Sequence, residues 1–183
     1  IRLQVTDLGV ATRDGGVMLG PDGLVAGSDA ARSTPWGRTL RSMADEAGID
    51  PTVPEGLYAD HSALGLDDAL EVDPEQVRQL LAWFARGRQG LVDFAPSEQP
   101  VLWPEHFDLA IAVNEVNYGV SLGDDHHESP YAYVGPWQPR QGTFWNAPFG
   151  ATRAADELPD PPAVSAFFAE GARLATVEGA TGG

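Results

Sequence analysis

The sequence predicts an α+β domain: an antiparallel sheet, with a central meander over about residues 106–136 and further strands near the N-terminus, flanked by about three helices over about 35–47, 74–86 and 161–177. Three observations carry this. Apolar residues alternate with period two through the central segment. Proline-led capping signals precede three apolar stripes at helical spacing. No internal repeat or long linker interrupts the chain, so 1–178 is taken as one domain and the glycine-bearing end, 179–183, as a disordered tail.

Taken in order, Ile1, Leu3 and Val5 alternate with polar residues, so the chain opens as a strand and is expected to be cut or processed, with a preceding element missing. Asp14-Gly15-Gly16 and Pro21-Asp22-Gly23 are turn signals, the second lying between Val17-Met18-Leu19 and Leu24-Val25-Ala26. Two or three short antiparallel strands follow from them. Thr34 can cap a helix whose first position is Pro35, with Trp36, Leu40, Met43, Ala44 and Ala47 on one face and Gly48 at its end. Residues 49–72 are a connection with a short helix near Asp67 to Leu70. Asp73, Pro74 and Gln76 then resemble a capping box; Val77, Leu80, Leu81 and Phe84 line the apolar face, and Gly87 closes the helix. Asp160-Pro161-Pro162 starts a third helix with the stripe Val164, Phe167, Phe168, Gly171 and Leu174.

The central segment fixes a register. A tight turn at Asn114-Glu115 pairs Val113 with Val116, Ile111 with Tyr118, Leu109 with Val120 and Phe107 with Leu122, an entirely apolar face. Glu115 is a poor residue for the positive φ of such a turn, and a four-residue loop keeps the same pairing. The opposite face pairs Ala112 with Asn117, Ala110 with Gly119 and Asp108 with Ser121, leaving His106 near Gly123. This is a floor of small residues with polar groups at one end. A packed helix or solvent is the plainer covering; a ligand lying on the floor is the sharper one. Tyr131 and Tyr133 mark a third strand. Phe144, Trp145 and Phe149 in the irregular stretch beyond it suit either a loop pinned over the core or a stacking surface.

Composition excludes more than it assigns. Hydrophobic residues make up 43% of the 183 residues, which suits a folded protein. The net charge of −16 argues against nucleic acid and anionic membranes as partners, and no apolar run approaches the roughly 18 residues of a membrane span. Without cysteine there is no thiolate chemistry and no Cys-based metal site. All eleven basic residues are arginine, which removes Schiff-base lysines and the P-loop. The expectation is a soluble, cytoplasmic protein with no cofactor and a small molecule as its partner.

"LWPEHFD" (102–108), "NYGVSLGD" (117–124) and "PYAYVGPW" (130–137), with the later "FWNAPFGA", resemble the motifs of an uncharacterised bacterial, actinobacterial-type family: Trp-Pro-His-His-Phe-Asp, Asn-Phe-Gly-x-Ser-x-Gly-Asp and Pro-Tyr-x-Tyr. The resemblance covers about the third of the chain from Val101 to Ala151 and implies no activity. Glu105 stands where the wider family often has a histidine, which weakens any metal site built on neighbouring histidines of that motif.

Three functions remain open. A small-molecule-binding domain would use a polar pocket at the end of the hairpin, with Trp103, Glu105, Asn117, Ser121, Asp124, Tyr131 and Tyr133 around it. An enzyme would use His106 and Asp108, two apart on one strand face, as an acid–base pair for hydrolysis, isomerisation or cyclisation. A protein–protein interaction module needs no such chemistry. No metal is assigned: His126 and His127 are adjacent and point to opposite sides of an extended segment. The acidic loop Gly123 to Glu128 is accordingly placed at the rim of the site, between two strands.

Overall fold

The computed structural model describes residues 2–27, 33–51 and 64–178. Ile1 and the expected tail at 179–183 lie outside the described residues. The chain forms two compact units, residues 1–5 with 82–183, and residues 6–81. The α+β class holds, with antiparallel strands and three α-helices among the described residues.

In the unit of residues 6–81, strands β2 (Gly9–Thr12), β3 (Val17–Gly20), β4 (Gly23–Ala26) and β5 (Ser33–Pro35) follow one another in antiparallel order. The Pro21-Asp22 turn places Gly20 opposite Gly23 and Leu19 opposite Leu24. Helix α1 (Leu40–Ala47) buries Met43 and Ala47 on Leu24 and Ala26, with Trp36 and Leu70 at the margin. It starts later than predicted. Thr34 is a buried β5 residue opposite Leu24, and the cap is Thr39, whose hydroxyl accepts the Ser42 N–H at 3.1 Å. Trp36 explains the delay, because its indole N–H donates to the carbonyls of Gly20 and Pro21 and holds 33–35 in the sheet rather than on the helix. Asp67 to Leu70 form a turn, not a helix, since Leu70 N–H donates to Arg38 O and Arg41 N–H to Leu66 O. Gly48 ends α1 with φ 70°, as its position implied.

The other unit carries β1 (Leu3–Thr6), β6 (Val101–Trp103), β7 (Asp108–Val113), β8 (Val116–Ser121), β9 (Tyr131–Pro136) and β10 (Ala151–Ala154), in the antiparallel order β10-β9-β8-β7-β6-β1. From Asp108 opposite Ser121 to Val113 opposite Val116, β7 and β8 pair in the register the alternation dictates. The turn is the two-residue one. Asn114 and Glu115 take φ 50° and 61°, and Glu115 tolerates this where its carbonyl accepts the Trp137 N–H at 2.9 Å.

Helices α2 (Pro74–Phe94) and α3 (Pro161–Glu178) cover the apolar face of this sheet. Their starts are capped as expected: Asp73 accepts from Glu75 N–H and Asp160 from Ala163 N–H. Phe94 of α2 and Phe168 of α3 close on Tyr118, with ring centroids 4.7 and 5.9 Å away. Phe144 packs on Phe167 at 5.6 Å, so the first part of the aromatic stretch is pinned over the core. No helix among the described residues is long and apolar enough to cross a membrane.

Gly87 does not end α2, which runs one further pair of turns. It sits where the helix presses on β8, and a Cβ there would lie 2.4 Å from Val120 Cγ2. Alanine is the better helix former by about 1 kcal/mol. Yet forcing a methyl group into a stiff, fully buried valine costs up to about 3 kcal/mol. Gly87→Ala is therefore expected to destabilise the protein by about 2 kcal/mol, measured by urea denaturation. A stabilised variant would show that α2 can shift away from the sheet.

Candidate functional site

The face of the sheet opposite the helices is built on the small residues Ala110, Ala112 and Gly119, and its neighbour β9 supplies the large ones. Side chains alternate, so Tyr131 and Tyr133 both stand on this face. Tyr133 lies across the middle strand: a Cβ on Gly119 would be 2.6 Å from its hydroxyl oxygen. The body that approaches the small-residue floor is thus the protein's own phenol. Crossing there lets the Tyr133 hydroxyl donate to Oδ2 of Asp108, two strands away.

Asp108 is 8% exposed, and its other oxygen, Oδ1, is buried with no hydrogen-bond partner among the described residues. Burial pushes its carboxyl above the usual carboxylate range, even though the Tyr133 hydroxyl and the nearby His106 both pull it down. Burial, and then the charge of Asp108, push the Tyr133 hydroxyl far up, so it stays a donor.

Beside this pair lies a groove of about 540 Å³ lined by Arg2, Trp103, His106, Asp108, Asn117 and Tyr133, with Ala110 and Ala112 beneath. The Arg2 guanidinium stands 5.7 Å from the Trp103 ring centre, a cation–π arrangement. Asn117 Oδ1 accepts the Trp137 indole N–H at 3.2 Å, leaving its amide NH₂ as a donor. Glu98 and Gln99 complete the rim.

His106 departs from the predicted strand face. Phe107 has φ 48° and leans on Phe84, with ring centroids 5.9 Å apart, so the alternation breaks there and β7 starts at Asp108. His106 and Asp108 still share the groove, but no hydrogen bond joins them and His106 is exposed in the turn.

Of the other expected site residues, Trp103, Asn117 and Tyr133 line the groove, whereas Glu105, Ser121, Asp124 and Tyr131 do not. Glu105 is exposed in the turn before β7, close enough for its charge to oppose ionisation of Asp108. Ser121 is buried; its hydroxyl accepts Gly123 N–H and its carbonyl accepts the Trp83 indole N–H. Asp124 organises its own loop: Oδ1 accepts the N–H groups of His126 and His127, and Oδ2 the Tyr131 hydroxyl at 2.6 Å. Burial alone would raise Asp124, but these hydrogen bonds together hold it below its usual value. The two histidines diverge, His126 against Phe149 and His127 against Tyr131. Phe149 also contacts Tyr133, so the last aromatic residue of that stretch belongs to this face and not to the core.

No family model, curated protein or solved structure matches the chain. Among the described residues, no three His, Asp or Glu side chains come together to hold a metal ion. Arg2, Glu98 and Gln99 are the polar groove residues that sequence reasoning did not single out. Arg2 arrives through the pairing of Leu3 with Leu102, for which no local signal exists.

Proposed function

We propose that the protein binds a small organic amine in the groove between Trp103, Asn117 and Asp108. The carrying observation is the unpartnered Oδ1 of Asp108, a buried acceptor whose desolvation a ligand N–H would offset. The net charge of −16 favours cations over anions in solution, and Trp103 offers an apolar wall for the ligand body. The resemblance of the three motifs to an uncharacterised bacterial family is part of the same proposal and adds no activity to it.

A second reading is favoured by the raised carboxyl of Asp108 beside Tyr133: an acid–base enzyme for hydrolysis, isomerisation or cyclisation, in which Asp108 exchanges a proton with substrate and His106 assists from the turn.

Thermal-shift screening against a metabolite set containing primary and secondary amines should yield ligands, and Asp108→Asn should weaken an amine by roughly ten- to hundredfold, the loss of one charge-assisted hydrogen bond. An affinity unchanged in Asp108→Asn would overturn the binding reading. Retained affinity with lost turnover, in Asp108→Asn or His106→Ala, would favour the enzyme.

A further inference from the structure

A second cavity, of about 560 Å³, opens on the helix-covered side of the same unit, at the turn end of β7 and β8. Its walls are Phe94, Val113, Val116 and Tyr118, with Ala172 and Ala175 of α3, and its polar groups include Arg140 and Glu115. Arg140 Nε is buried and has no hydrogen-bond partner among the described residues. No carboxylate among the described residues lies within ion-pair distance of Arg140, although Glu115 lines the same cavity. Tyr118, almost fully buried, lines the same cavity.

A buried guanidinium N–H left unpaired is costly, and arginine has only donors to offer. Tyr118 brings a hydroxyl to the same cavity, where Asn114, Glu115, Gln138 and Thr176 are the other polar residues among mostly apolar walls. An unpaired arginine donor and apolar walls in one cavity match a ligand with one accepting, anionic end and a hydrocarbon body. We propose that this cavity binds a small monocarboxylate with an apolar body, its carboxylate on Arg140 and Tyr118 and its hydrocarbon portion between α2 and α3. Glu115 lines the same cavity, so a second carboxylate on the ligand would add a like charge near it. The volume lies within the ordinary range for small-ligand sites.

The full chain would be titrated with octanoate, 1-octanol and suberate by calorimetry. Octanoate should bind, and roughly ten- to hundredfold more tightly than octanol, the value of a charge-assisted hydrogen bond to guanidinium. Suberate should bind more weakly than octanoate. Arg140→Gln should reduce octanoate binding to the level of octanol, while Asp108→Asn should leave it unchanged, which separates this cavity from the amine groove. Octanol binding as tightly as octanoate would overturn the proposal without recourse to any variant, as would no octanoate binding at all. Full octanoate affinity in Arg140→Gln would do the same.

Discussion

Phe168→Ala is expected to lower stability by about 3–5 kcal/mol. Phe168 is fully buried and touches three other rings: Phe94 of α2, Tyr118 of β8 and Phe167 of its own helix, each with centroids 5.9 Å away. One side chain therefore ties both helices to the middle of the sheet. Truncation removes apolar burial and leaves a hole that the neighbours cannot fill. Gly171 beside it already brings α3 close to Val134, and the β-branched valines below have little rotamer freedom. Against a typical total of about 5–15 kcal/mol, such a loss is a large fraction of what keeps a domain folded. Guanidinium denaturation should show a lower midpoint with an unchanged slope. Phe149, 41% exposed, is the control: its truncation should cost under about 1 kcal/mol. Equal losses at both positions would contradict the packing described.

Tyr133→Phe should give the second largest effect, and one that depends on pH. Among the described residues the hydroxyl is the one side-chain hydrogen-bond partner of Asp108, so the variant leaves a buried carboxyl without it. Because the folded carboxyl titrates above its unfolded value, its contribution to stability is fully present below the unfolded pKa of about 3.9 and is lost as pH rises through the folded value. Removing the hydroxyl takes away a group that lowers this pKa, and moves it higher still. The variant should therefore lose about 1 kcal/mol near pH 3.5, where a neutral acid loses one bond, and about 2–3 kcal/mol at pH 7. Paired urea titrations of both proteins across that range would measure the difference. A cost independent of pH would mean that Asp108 does not titrate there.

The central hairpin was legible in the sequence because period-two alternation admits one register, and a slip of one residue would turn Leu109 and Val120 out to solvent. Helix starts at Pro74 and Pro161 were legible for the same kind of local reason, an aspartate before a proline. The start of α1 was not, since Thr34 and Thr39 are both adequate caps. The choice falls to Trp36, whose indole reaches carbonyls fifteen and sixteen residues earlier. Gly87 looked like a terminator because glycine usually ends helices, whereas here its missing side chain makes room for Val120. At the candidate site, Asp108 and Asn117 came from register alone. The arrangement of Tyr133 did not, for it depends on a side chain crossing a neighbouring strand at a glycine.

The pairing of Leu3 with Leu102 bears on how the groove is assembled in time. The meander from β7 to β9 closes through short connections, and hairpins form within microseconds. The first strand must wait for a partner about a hundred residues further along, and the entropy of closing so long a loop is not recovered until the contact is made. Asp108, Tyr133 and Asn117 can thus be in place while Arg2 is still searching. A protein released from denaturant should acquire its meander first and the Arg2 side of the groove last, and fluorescence of Trp103, which Arg2 overlies, is placed to report that final event.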